Sequence, residues 1–145
     1  MMMSTPDNDV NLAISGLLIS QQRIVRETPQ RIKLMSKPEG FEYIYVPLKN
    51  TAKLIREDLK RYYPLTKFSV RTQRMSGGTS AINVQWQSDG PEMDEVDAFL
   101  DRYSGSVSDE SGDFRDNVAV LIDGRWYHFE ATFISCERHT MVIEA

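Results

Sequence analysis

A single cysteine in 145 residues leaves nothing from which to build a disulfide framework. The two histidines, His128 and His139, bring the soft metal ligands to three, one short of the four that a structural zinc site takes. No apolar run approaches the ~20 residues of a membrane-spanning helix. At the N-terminus, MMMSTPDNDV, no basic segment leads into an apolar one, so no secretory signal is expected. Glycine and proline number only 8 and 6, and collagen-like and low-complexity classes are excluded with them.

What is present is a 41% apolar composition at the length of one domain. A chain of this size buries roughly 70% of its unfolded surface and needs no staple to fold. The net charge of −4 conceals a division. Residues 1–74 hold 13 Lys/Arg and 7 Asp/Glu, a balance of +6, and residues 75–145 hold 4 and 14, a balance of −10. Either the two halves fold against each other and their charges pair, or the chain presents separate basic and acidic surfaces.

Residues 1–40 read as an N-terminal amphipathic helix and a connector, and residues 41–145 as a single α+β domain. Val10, Ile14, Leu17, Leu18, Gln21 and Val25 recur at helical spacing over 8–27. The connector, bounded by Pro29, Pro38 and Gly40, includes a short alternating run, Arg31 to Leu34. Residues 41–47 alternate as a strand, with Ile44 and Val46 on one side and Phe41, Tyr43 and Tyr45 on the other. A helix is expected over 51–63, capped by Asn50 or Thr51, with Ala52, Ile55, Leu59 and Tyr62 as its apolar stripe and Lys53, Arg56 and Lys60 on another face. Strands over 67–74 and 79–87 flank a glycine hairpin at Gly77-Gly78. Pro91 opens a second helix that buries Met93, Val96, Phe99, Leu100 and Tyr103. The polar stretch 104–116 reads as a loop. Strands over 117–122 and 126–135 follow, joined at Asp123-Gly124, with a short last strand at 141–143.

From residue 41 the order is strand, helix, strand, strand, helix, strand. This is the ferredoxin-like βαββαβ order, an antiparallel sheet with two helices on one face, extended here by the N-terminal helix and a C-terminal β-hairpin. It makes the basic and acidic helix faces neighbours that neutralise each other in part.

The segments TAKLIREDLKRYYP, KFSVRTQRMSGGTSAINVQW and DGPEMDEVDAFLDRY, with the tail YHFEATFISCERH, resemble a large polyvalent protein-associated domain family. Its members carry a KFSVR strand, a glycine turn, an INV-W strand and a DGP-initiated helix. The resemblance runs over roughly residues 50–140. It implies a mobile-element setting, in phage or plasmid, and a cytoplasmic location in the bacterial host. It supplies no catalytic residues. The acidic segment 104–116 departs from the shorter Phe-Asp-Gly segment of other members.

No catalytic constellation converges, so an enzyme is not expected, and neither metal nor cofactor is assigned. Asp109, Glu110, Asp113 and Asp116 do not match the spacing of a calcium loop. Ser76-Gly77-Gly78 lacks the phosphate-loop pattern. Two readings remain. One is a protein-protein inhibitor of a host defence complex, of anti-restriction or anti-CRISPR type, that uses Asp94, Asp97, Asp101, Asp109, Glu110 and Asp113 as an acidic partner-binding surface. The other is a single-stranded nucleic-acid-binding domain that stacks bases on Tyr43 and Tyr45 beside Lys67, Arg71, Arg74, Asn83 and Gln85 on an open sheet face. The N-terminal stripe either covers that sheet or forms a homodimer through residues 8–27. A dimer held by the stripe halves its mass when residues 1–28 are removed, and light scattering on the two forms checks this.

Overall fold

In the computed structural model, which describes residues 29–140, the alternating segments become strands and the periodic ones helices. In chain order these are β1 (Gln30–Lys33), β2 (Ile44–Val46), α1 (Leu48–Tyr62), β3 (Ser69–Arg74), β4 (Ser80–Gln87), α2 (Met93–Leu100), β5 (Ser106–Ser108), β6 (Arg115–Ile122), β7 (Arg125–Phe129) and β8 (Phe133–His139). The helix expected at 8–27 and the strand at 141–143 lie outside the described residues. One sheet runs β1-β6-β7-β2 with β5 also paired to β6, and the other runs β3-β4-β8.

The α+β class holds, but the single ferredoxin-like sheet is not what forms. That arrangement sets strands 41–47 and 79–87 side by side. Instead β2 runs parallel to β7, and β4 runs parallel to β8. The cause is the run 126–135, expected as one strand. It breaks at Glu130–Thr132 and changes sheets, so its second half takes the β4 edge that β2 was expected to fill. The short run in the connector is β1, which pairs antiparallel with β6.

Both helices and both sheets meet in one apolar cluster. Leu54, Ile55 and Leu59 of α1 join Val96, Phe99 and Leu100 of α2, Ile82, Val84 and Trp86 of β4, and Tyr127 and Phe129 of β7. Two helix starts differ from expectation. α1 begins at Leu48, with Pro47 at its cap position and no side-chain cap from Asn50 or Thr51. Glu130, distant in sequence, accepts the Leu48 N–H at 2.7 Å instead. α2 begins at Met93, so Pro91 precedes it, and the Pro91 carbonyl accepts the Trp86 indole N–H at 2.8 Å.

The bend at 130–132 is tied from both sides. Glu130 N–H donates to the Val46 carbonyl and Thr132 N–H to Ser80. From the opposite side Gly105 N–H donates to the Ala131 carbonyl at 2.7 Å, and the Ser106 hydroxyl to Thr132 O at 2.7 Å. Segment 104–116 is therefore not a solvated loop. Ser104 and Ser106 are buried, and β5 and β6 form a hairpin whose outer end, Ser108 and residues 110–115, is exposed. Gly105 is a glycine because a Cβ there would stand 1.8 Å from the Phe129 carbonyl oxygen.

The charge division is offset in part by pairing, but not between the helices. Arg31–Asp101 at 2.7 Å, Lys33–Asp116 at 3.3 Å and Arg74–Glu130 each join a cation of the first half to a carboxylate of the second. Among the described residues no ion pair joins the α1 cations Lys53, Arg56 and Lys60 to α2.

Asp58 lies fully buried where α1 meets the turn after α2. The Tyr103 hydroxyl donates to its carboxylate. Burial raises its pKa to about 7, against the lowering effects of the Tyr103 hydrogen bond and the Arg102 charge. An unfolded Asp ionises near pH 4, so the stability from the folded, protonated form is complete below that and is lost as pH rises from about 4 to 7. Asp58→Asn keeps an acceptor for Tyr103 and cannot ionise. Its stability relative to wild type should rise by a few kcal/mol, as an order of magnitude, between pH 4 and pH 8, measured by urea unfolding at each pH. Gly105→Ala should cost about 3 kcal/mol in the same assay, because backbone must move to admit the methyl.

Candidate functional site

The acidic surface is organised by α2. Val96, Phe99 and Leu100 are buried, which turns Asp94 and Asp97 outward. Asp94 and Glu95 lie in the first turn, where carboxylates complement the helix dipole. The six carboxylates expected to act together divide by role. Asp101 is held by Arg31, whose guanidinium also donates to the Asp101 carbonyl at 2.9 Å. Asp109 organises the hairpin tip. Its carboxylate accepts the Ser111 hydroxyl at 2.6 Å and the Gly112 N–H at 2.9 Å, bonds that hold its pKa below the usual range. Asp94, Asp97, Glu110 and Asp113 are exposed, and among the described residues none of them enters an ion pair.

Hairpin and helix are adjacent. A cavity of about 370 Å³ between them is lined by Asp97 and Asp101 on one side and by Ser108, Arg115 and Phe133 on the other. Arg115 donates to the Ser106 hydroxyl at 2.8 Å and lies over the Phe133 ring, 4.7 Å from its centroid. Phe114, at the tip, is 72% exposed.

The residues expected on one stacking face are divided between two sheets. Arg71 is opposite Asn83, which is opposite Ser135, and Ser69–Gln85–Glu137 forms the next row of the β3-β4-β8 face. Asn83 donates to Ser135 at 2.9 Å, and Gln85 donates to Asn83 at 2.7 Å. Lys67 lies just before β3 and lines a cleft with Phe68. Tyr43 and Tyr45 belong to the other sheet, where both rings contact His128 and Phe41 contacts Trp126. Arg74 is opposite Ser80 in register and reaches Glu130. The Arg74 hydrogen bond, joined by that from Leu48 N–H, holds the Glu130 carboxyl below its usual range. No face therefore combines the tyrosines with Arg71, Asn83 and Gln85.

Cys136 lies beneath α2, its sulfur 4.0 Å from the Asp97 carboxylate and 3.9 Å from the Met93 carbonyl. Burial, followed by the charges of Asp97, Asp94 and Glu137, raises the thiol to about 11. His139 bonds to Gln85 and His128 to the Val118 carbonyl, so neither is turned on Cys136 as a base. Among the described residues no group of three His, Cys, Asp or Glu could hold a metal ion, and no helix is long and apolar enough to cross a membrane.

The family model described as large polyvalent protein associated domain 29 matches residues 46–141. The chain belongs to this family. Its setting is that of polyvalent proteins of phage and other mobile elements. No curated protein and no solved structure matches the chain. The part that matches the polyvalent protein associated domain takes in both helices, the bend at 130–132 and the second sheet, and leaves out β1.

Sequence reasoning missed Glu130, Gly105 and Arg115. The sequence marks Glu130 only as one carboxylate in an alternating run, and serines around Gly105 read as solvent-facing. The Cys136 environment gives a direct check. Alkylation of native protein by iodoacetamide, followed by mass spectrometry, should be slow at pH 8 and climb through pH 10–11, and Asp94→Asn with Asp97→Asn should move that rise to lower pH.

Proposed function

We propose that this domain is a non-enzymatic binding module of a mobile genetic element, a protein-protein inhibitor of a host defence complex that acts through its acidic face. The observation that carries the reading is that four carboxylates, Asp94, Asp97, Glu110 and Asp113, are exposed and unpaired among the described residues on adjoining elements. Exposed Phe114 and Met93 add apolar contact within the same charged surface. Such a face suits a basic protein surface, of the kind that grips nucleic acid in restriction and CRISPR complexes. Charge complementarity supplies speed of encounter and orientation, and the aromatic supplies desolvated area.

The fold leaves these residues free to act, since Asp101 and Asp109 already serve the scaffold. Expression of the protein in bacteria carrying a restriction or CRISPR system should raise the plating efficiency of the targeted phage. Asp94→Lys combined with Asp97→Lys should abolish that protection while leaving the fold intact by circular dichroism. Protection unchanged in the double variant would remove the acidic face from the mechanism, and absence of protection against every system tested would remove the inhibitor reading.

A further inference from the structure

α1 places Lys49, Lys53, Arg56 and Lys60 at exposed positions four, three and four residues apart, a single row along the helix. Of these, Arg56 is tied to the fold by its hydrogen bond to the Val70 carbonyl, and Lys49, Lys53 and Lys60 are in no ion pair among the described residues. Lys49 stands in the first turn, which holds no acidic residue of its own, and Glu130 is the carboxylate that meets the helix start. Like charges four residues apart repel, at a few tenths of a kcal/mol per pair.

The row borders two clefts, one against the segment 64–68 and the other against β3. One, of about 380 Å³, has Arg56, Lys60 and Lys67 at its rim and Leu65 and Phe68 in its wall. The other, of about 180 Å³, has Lys49, Arg56 and Arg74. Arg56 lines both, so the two clefts adjoin there along one trough-like surface, and no lining residue of either is acidic. Among the described residues only Arg74 of these cations is in an ion pair, with Glu130.

We propose that this trough binds the phosphodiester backbone of a single-stranded nucleic acid. The row from Lys49 to Lys60 extends about 17 Å along α1 at ~1.5 Å per residue, a length that suits a run of phosphates. Fully exposed Leu65, beside Phe68, offers apolar contact to unstacked bases. An acidic peptide added as a strand along β3 fits less well, because Arg56 already donates to the outward Val70 carbonyl at 2.8 Å. The site is separate from the acidic face and from the sheet face that bears Arg71, Asn83 and Gln85, and it stands or falls independently of the inhibitor reading.

The test is fluorescence anisotropy with a labelled 12-nucleotide oligo-dT. Binding should be measurable at 50 mM salt and weaken with a log–log salt slope of about −3, for four phosphate contacts. Lys60→Glu with Lys67→Glu, both exposed, should weaken it at least tenfold and reduce the slope by about 1.4, with the fold checked by circular dichroism. Asp94→Lys with Asp97→Lys should leave binding at least as tight. No binding at 50 mM salt, or the same affinity in the Lys60/Lys67 variant, would overturn the proposal. So would polyglutamate binding as tightly as the oligonucleotide and displacing it.

Discussion

The bend at Glu130–Thr132 is the constraint on which the other elements depend. It carries the chain from one sheet to the other, and its polar groups are taken up by segments from both sheets and from the start of α1. Glu130 accepts from the first N–H of α1 and pairs with Arg74 at the end of β3, while its own N–H and carbonyl bond to Val46 and Ser80. Gly105 and Ser106 close the opposite side. Orphan donors at a buried helix start cost free energy unless they are met. The carboxylate that meets the first of them is fixed by the same bend that sets the parallel partners of β2 and β4. Helix start, sheet assignment and hairpin position are therefore one arrangement.

This explains which parts of the fold were legible. Gly77-Gly78 and Asp123-Gly124 mark hairpins by backbone chemistry alone, and positive φ at all four residues agrees with that. The core faces of α1 and α2 follow from periodicity, since Ile55, Leu59, Val96 and Phe99 have only one way inward. The break within 126–135 has no such mark. Neither glycine nor proline interrupts it, and the alternation of Tyr127, Phe129 and Ala131 continues through the bend. A pattern of period two records which side a residue faces, not which sheet it faces from. The single stacking face was lost for that reason: Tyr43 and Arg71 each have the expected orientation, on different sheets.

The acidic residues show a related limit. In the sequence Asp101, Asp109 and Asp97 are equivalent carboxylates on polar stretches. Asp109 is placed to receive Ser111 and Gly112 in a tight turn, and Asp101 meets Arg31, a residue from before the domain's first helix. Local sequence can suggest the first of these, because Asp109 with Ser111 and Gly112 two and three residues on is turn chemistry. It cannot suggest the second, which depends on β1 joining β6. Candidate surface residues read from sequence are therefore an upper bound, from which the scaffold removes those it uses.

The same subtraction, applied to both signs, leaves a polarised molecule. Arg31, Lys33 and Arg74 are neutralised by Asp101, Asp116 and Glu130. The α1 row and the α2 face keep their charge. Screening at physiological salt decays over about 8 Å, so two surfaces on separate elements act on a partner as separate fields rather than as a net −4. The charge that the scaffold leaves unpaired is therefore divided by sign between α1 and α2 with its hairpin, and each surface presents its own field.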